Sequence, residues 1–279
     1  MKVGYAILYE DGTLVISKNH TLLQKSIIKD YGAFEDTDVS WKHESSQIKK
    51  IQILDQVKTN CMKAWFYNCI NLTTLIDFEN LDVSDCVDFS RMFASCKSLQ
   101  NLNELRNWNV SNGTDFSFMF YNCQSLRTLN GLQTWNVSNS TKFSRMFAYC
   151  SSLENLNGLQ NWNVSKGTDF SYMFGDCKSL QYLNGLQNWN VSNGTNFNNM
   201  FYNCKSLQNI NELQTWNVSN CTDFSYMFSY CESLKEILVS NTLDILSEDM
   251  FNNCNPILKI HWKNHIYTYV DLLAYEEIS

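Results

Sequence analysis

The segment Trp108 to Thr134, WNVSNGTDFSFMFYNCQSLRTLNGLQT, returns nearly unchanged from Trp135, Trp162, Trp189 and Trp216, always 27 residues on. A Leu81-led copy, LDVSDCVDFSRMFASCKSLQNLNELRN, precedes it. A fixed period of this length marks a stacked-repeat architecture and constrains the fold more than any single motif. One coil cannot bury enough apolar surface to offset the entropy of ordering its backbone. Stacking buries both flanks and pairs backbone with the coils above and below, so the chain is expected to be a solenoid.

Within one repeat the apolar residues fall into two sets. Phe116, Met119, Phe120 and Cys123 sit at i, i+3, i+4 and i+7, which predicts a short helix from about Asp115 to Asn122. Thr114 and Asp115 stand where side-chain oxygens cap its first N–H groups. Leu126, Leu129 and Leu132, with Asn130, fit a strand or turn, and Trp108 and Val110 the return leg. Ser111, Asn112 and Gly113 form the corner, because Asn and Gly tolerate positive φ. The predicted fold class is α/β, with one short strand and one short helix per 27-residue coil.

Residues 1–48 do not repeat. Alternation at Val3, Tyr5, Ile7 and Tyr9, the Asp11-Gly12 turn, and Leu14 and Ile16 predict a β-hairpin cap. Residues 49–237 form the repeat solenoid, opening on a degenerate coil in which Trp65 replaces the core methionine. Residues 238–279 hold a shortened last coil (Met250, Phe251, Cys254, Ile257, Ile260), with Pro256 beside its edge strand, and a C-terminal β cap turning at Lys263-Asn264.

The formal charge of −7 with no basic run argues against nucleic acid as a partner. No segment has the ~18 apolar residues of a membrane span. The start carries no signal-type apolar stretch, so by sequence the expected location is cytoplasmic. Of 11 cysteines, Cys69, Cys96, Cys123, Cys150, Cys177, Cys204 and Cys231 follow the 27-residue step, and Cys254 closes the series. Their spacing fits no zinc pattern and no histidine shares the column, so they read as reduced apolar knobs on the helix face. Cys86 and Cys221 take the corner position held by Gly113, Ser140, Gly167 and Gly194.

The phrase WNVSN-x-T-x-F-S-x-MF-x-x-C-x-SL-x-x-LNGL, repeated from roughly Ile51 to Ile260, resembles the BspA-like leucine-rich repeats of bacterial surface proteins. That resemblance implies a right-handed leucine-rich-repeat-like solenoid, a cell-surface location and an adhesin-like role, with no catalytic residues to carry over. The repeat here is one residue longer than the common form, at the Asn-Gly of LNGL, and Phe116 replaces the usual methionine. No secretion signal or anchoring motif accompanies it.

Nothing points to an enzyme or a cofactor. His261 and His265 have the spacing of a helical metal pair but lie in a hairpin segment with no glutamate between them. The sequons at Asn109, Asn136, Asn163, Asn190 and Asn217 suit buried or half-buried corner residues bonding to backbone better than glycan acceptors. The column Asn103, Asn130, Asn157, Asn184 and Asn211 suggests side chains bonding from coil to coil.

A binding surface is sought where repeats differ. One such column is Arg91, Phe118, Arg145, Tyr172, Asn199 and Tyr226, flanked by Tyr121, Tyr149, Tyr202 and Tyr230. Aromatics at exposed positions are what interface cores use, although rings covering the solenoid's outer layer would look the same. The other runs through Gln100/Asn101, Arg127/Thr128, Glu154/Asn155, Gln181/Tyr182 and Gln208/Asn209. The candidate residues are Phe118, Tyr172, Tyr226, Tyr121, Tyr202, Arg127 and Tyr182. The expected function is a non-catalytic scaffold for an unidentified protein or glycan. The alternatives are an intracellular protein–protein interaction scaffold or structural spacer, and an enzyme carried by a cap.

Overall fold

In the computed structural model, residues 2–37, 39–238, 248–262 and 265–268 are described. Strands β1 (Lys2–Tyr9) and β2 (Thr13–Ser17) form an antiparallel hairpin, and β3 (Ile27–Glu35) pairs with the other edge of β1. β2 then runs parallel to β4 (Lys50–Ile53). Two residue pairs join β5 (Val57–Lys58) to β7 (Leu81–Asp82) in parallel. β6 (Thr74–Ile76) lies parallel to β4 and completes a sheet of order β3-β1-β2-β4-β6. The hairpin is thus one continuous sheet with the first coils. Two indoles lock the junction: Trp41 Nε1 donates to the Trp65 carbonyl at 2.7 Å, and Trp65 Nε1 to the Asp36 carbonyl at 2.9 Å.

From Leu81 to the coil of Asp223 each coil lies on the next at a 27-residue offset, and the last step is shorter, from Phe228 to Phe251. The segment expected to be helical is not. Phe116, Phe118, Phe120 and Asn122 send their N–H groups to the carbonyls of Lys142, Ser144, Met146 and Ala148 in the following coil. Met119, Tyr121 and Cys123 send theirs back three residues, to Phe116, Phe118 and Phe120. The stretch is a chain of overlapping β-turns in which alternate N–H groups serve the turn and the neighbouring coil. Phe118 and Asn122 take the left-handed conformation that such turns need (φ 60° and 61°), and the equivalent residues of the other coils do the same.

The regular strand per coil is also reduced. The Asp88, Asp115, Lys142, Asp169, Asn196 and Asp223 column makes single parallel bridges. The leucine segment ends in a short 3-10 turn, Asn130–Leu132 in the representative coil. Regular strands return with β8 (Glu236–Leu238), parallel to β9 (Lys259–Trp262), which pairs antiparallel with β10 (His265–Thr268). The Lys263-Asn264 turn and residues 269–279 lie outside the described residues.

The core is a set of in-phase columns. Phe120, Phe147, Phe174, Phe201 and Phe228 stack at 5.5–5.6 Å between ring centres with planes within 9°. The tryptophans from Trp108 to Trp216 stack at 6.3–6.4 Å, and each Nε1 donates to a carbonyl of the preceding coil at 2.9–3.0 Å. The ladder cysteines from Cys96 to Cys254 are buried, and each Sγ donates to a phenylalanine carbonyl one coil back at 3.1–3.3 Å. They are therefore donors from one coil to the coil before, carried on turns and not on a helix face.

Two glycine positions have different causes. Gly113 does not need a positive φ; a Cβ there would come within 2.6 Å of the far end of the Phe116 ring, and the coils with Cys86, Ser140 or Cys221 at this corner do accommodate a side chain. Gly158 has φ +112°, and a Cβ there would fall 2.3 Å from the Leu129 carbonyl oxygen of the coil before. The extra residue of the repeat thus crosses where coils touch backbone to backbone. Gly158→Ala should cost about 2 kcal/mol or more, read as a lowered urea midpoint. Gly32→Ala, at φ +64° with open space around it, should cost only ~1 kcal/mol.

Candidate binding surface

The variable column falls on the left-handed turn positions. Arg91, Phe118, Arg145, Tyr172, Asn199 and Tyr226 all have φ between 55° and 60°. A second set four residues on, which includes Ser95, Asn122, Tyr149, Asp176, Asn203 and Tyr230, spans 57–64°. Their backbones are held from both sides: Phe118 and Tyr172, for example, donate to Ser144 and Asn198 of the next coil while their carbonyls close turns. The side chains are left to project outward.

Those side chains join into one aromatic row. Phe118 meets Tyr121 at 5.6 Å, Tyr121 meets Tyr149 at 5.3 Å, and Tyr149 meets Tyr172 at 5.9 Å. Tyr172 meets Tyr202 at 5.8 Å, and Tyr202 meets Tyr230 at 5.3 Å. Arg91 and Arg145 lie over the Phe118 ring at 4.8 and 5.3 Å, and Arg145 also over Tyr172 at 5.7 Å. At such exposed sites each cation–π contact is worth roughly 0.5–1 kcal/mol. The structure brings Phe118, Tyr121, Tyr172 and Tyr202 together in this row, with Tyr226 at its edge. Arg127 and Tyr182 stand elsewhere in the coil, past the cysteine. Arg127 is exposed, and the Tyr182 hydroxyl donates to Gln208 Oε1 at 3.0 Å.

Beside the row lies an open trough of about 550 Å³ lined by Tyr149, Tyr172, Asp176, Asn199, Tyr202, Asn203 and Tyr226. Asp176 is buried; it accepts from the Tyr172 hydroxyl at 2.5 Å and from Asn203 Nδ2 at 2.6 Å. Burial and the Asp176 carboxylate push the Tyr172 phenol well above its ordinary range, so it stays a protonated donor. Gly175 makes room for this arrangement, since a Cβ there would lie 2.3 Å from the Tyr172 ring. Asn199 belongs to the variable column that the sequence shows; Asp176 and Asn203 carry no such mark in the sequence. The signal that could have found them is the Gly175-Asp176 pair, where the other regular coils carry Ala-Ser, Tyr-Asn, Ala-Tyr or Ser-Tyr.

The sequon asparagines are exposed, not buried, and each Oδ1 accepts the N–H of the serine two residues on, at 3.1–3.2 Å. Asn103, Asn130, Asn157, Asn184 and Asn211 are exposed as well. Coil-to-coil amide bonds come instead from the corner: Asn112, Asn139, Asn193 and Asn220 donate to serine carbonyls of the preceding coil at 2.6–2.9 Å. A corner amide can reach the next coil because the chain turns there.

Among the described residues no three His, Cys, Asp or Glu side chains converge as a metal site would require, and no helix is long and apolar enough to cross a membrane. Burial raises the ladder thiols from Cys96 to Cys254, Cys150 and Cys254 to about 12, which keeps them as S–H donors.

The sequence matches the family described as Mycoplasma protein of unknown function, DUF285, over residues 33–158 and 127–242. The chain belongs to this family. No curated protein matches it. Among solved structures it is similar to a leucine-rich repeat protein from Eubacterium ventriosum, at 14% identity and a TM-score of 0.30, covering 93% of this chain and 84% of that one. A leucine-rich cell surface protein from Faecalibacterium prausnitzii matches at 14% identity and a TM-score of 0.25, covering 93% and 94%. A leucine-rich repeat protein from Leptospira interrogans matches at 12% identity and a TM-score of 0.19, covering 77% and 72%.

The thiol chemistry is directly testable. Of the 11 cysteines Cys61 alone is half-buried and ten are buried. Iodoacetamide at pH 8 should modify at most Cys61 in the folded protein and all of them after unfolding. Modification of two or more ladder thiols in the folded state would contradict the structure.

Proposed function

We infer that the chain is a non-catalytic binding scaffold whose working surface is the left-handed column and its flanking rings. The observation that carries this reading is backbone cost. A bulky residue at positive φ costs on the order of 1–2 kcal/mol that Gly avoids and Asn reduces. Asn stands at these turn positions in Asn68, Asn122, Asn199, Asn203 and Asn253, so the fold accepts it. Phe118, Tyr172, Tyr226, Arg91 and Arg145 nevertheless occupy the same conformation, where stability alone would favour Asn.

In this reading the stack is a right-handed leucine-rich-repeat-like solenoid of the BspA-like type, residues 49–237, flanked by caps at 1–48 and 238–279. It is displayed at the cell surface and binds an external ligand. Arg127 and Tyr182 form a second, polar strip that contributes less. The competing role, an intracellular scaffold or spacer, would leave the rings as a passive outer layer.

Two measurements separate these roles. Protease treatment of intact producing cells should digest the chain while a cytosolic marker survives; protection until lysis sinks the surface assignment. The triple variant Phe118→Asn, Tyr172→Asn, Tyr226→Asn should melt within a few degrees of the parent. It should also lose at least about tenfold of the parent's binding to cultured epithelial cells, read by flow cytometry. Unchanged binding would remove the column from the function.

A further inference from the structure

We propose that the trough at Tyr149, Tyr172, Asp176, Asn199, Tyr202, Asn203 and Tyr226 is a binding site for a neutral oligosaccharide. The proposal rests on the binding-scaffold reading and assigns that scaffold a ligand class. In the column Phe118, Arg145, Tyr172, Asn199 and Tyr226, the one short side chain is Asn199. It leaves a gap in that column between Tyr172 and Tyr226, two coils apart, or ~10 Å at the parallel-strand spacing, bordered in the intervening coil by Tyr202, whose ring centre lies 5.8 Å from that of Tyr172. That opening is too wide for a flat aromatic group to stack on both walls at once. It suits a puckered pyranose, whose C–H faces carry the partial positive charge that the negative face of a phenol ring attracts.

The polar lining decides the ligand class. Four phenol hydroxyls, two amides and one carboxylate border the trough. They supply donors and acceptors in the mixture that a row of sugar hydroxyls can satisfy, and a trimethylammonium group would leave all of them unused. Asp176 already accepts from Tyr172 and Asn203. Its carboxylate therefore holds two groups in place and keeps lone pairs free for a hydroxyl. Among the described residues lining the trough there is no lysine or arginine, and Arg145 stands outside that lining, over the Tyr172 ring at 5.7 Å, so an anionic sugar would meet the buried Asp176 carboxylate with no cation directly beside it. The row of rings continues over the neighbouring coils at a rise comparable to one sugar unit, so the site has room for more than a monosaccharide.

The test is saturation-transfer NMR on the full chain with maltotriose, cellotriose and triacetylchitotriose, alongside 3′-sialyllactose and tetramethylammonium. At least one neutral trisaccharide should show transfer to its ring C–H protons, and the two charged probes none. Asn199→Tyr, which places in the gap a side chain the column already carries at Tyr172 and Tyr226, should weaken that trisaccharide at least about tenfold, with a melting temperature lowered by no more than the few degrees that a bulky residue at positive φ costs. Tyr226→Asn, which removes one wall, should weaken it too. Transfer unaffected by Asn199→Tyr, transfer to tetramethylammonium alone, or transfer to no neutral sugar would each overturn the assignment. Cell binding that survives enzymatic deglycosylation but is lost in Asn199→Tyr would give the trough to a protein partner instead. If the triple column variant loses cell binding while no sugar engages, the scaffold reading stands and the glycan assignment alone falls.

Discussion

The structure depends on how backbone N–H groups are divided between a turn and the next coil. In a helix every N–H past the first turn closes a bond within its own segment. Here Phe116, Phe118, Phe120 and Asn122 give theirs to the following coil, and only the residues between them close the turns. A coil without its neighbour would leave half of these donors unbonded, so the stack forms as a unit or not at all. The same division keeps successive coils in phase. A slip of one residue would send donors to positions already used in turns and break the Phe120, Trp108 and Cys123 columns together.

In-phase stacking then dictates which residues may repeat. Neutral groups can be identical in every coil: Thr114, Thr141, Thr168, Thr195 and Thr222 each donate from Oγ1 to the carbonyl one coil back. Charges cannot, because like charges in adjacent strands repel. In the bridge column, Lys142 stands between Asp115 and Asp169, with its Nζ 3.6 Å from Asp115, and Asn196 stands between Asp169 and Asp223. Where Asp88 does face Asp115, Lys63 lies 3.5 Å from Asp88. What each aspartate or asparagine keeps in common is local: its Oδ1 accepts the N–H two residues on.

The repeat, its period and its inward columns were legible in the sequence because burial is periodic and stacking copies it. The helix was misread for a physical reason. Overlapping four-residue turns also bring Phe116, Met119, Phe120 and Cys123 inward, so the apolar spacing is that of a helix face although the hydrogen bonding is not. The left-handed positions gave no glycine signal, since Arg, Phe and Tyr fill them under constraint from both neighbouring bonds. Asp115 does bond to the N–H of Ser117, as a cap would, but it closes a turn. The candidate rings were visible as variable aromatic positions. Asn199 was visible in the same column, but its neighbours Asp176 and Asn203 were not, because each is unremarkable alone and acquires meaning only beside the tyrosines of adjacent coils.

This division explains why the fold suits a changing surface. Inward columns are coupled, since altering one phenylalanine leaves a mismatch with the rings above and below it. The left-handed positions touch one another only through surface ring, cation–π and polar contacts, and their backbone is bonded whatever side chain it bears: Ala64, Arg91, Phe118, Arg145, Tyr172 and Asn199 all donate to the next coil. A substitution there changes the outer face at the cost of local strain and little else. The trough arises this way, from a small residue at Asn199, a missing side chain at Gly175 and an acid at Asp176 in consecutive coils whose cores are the same.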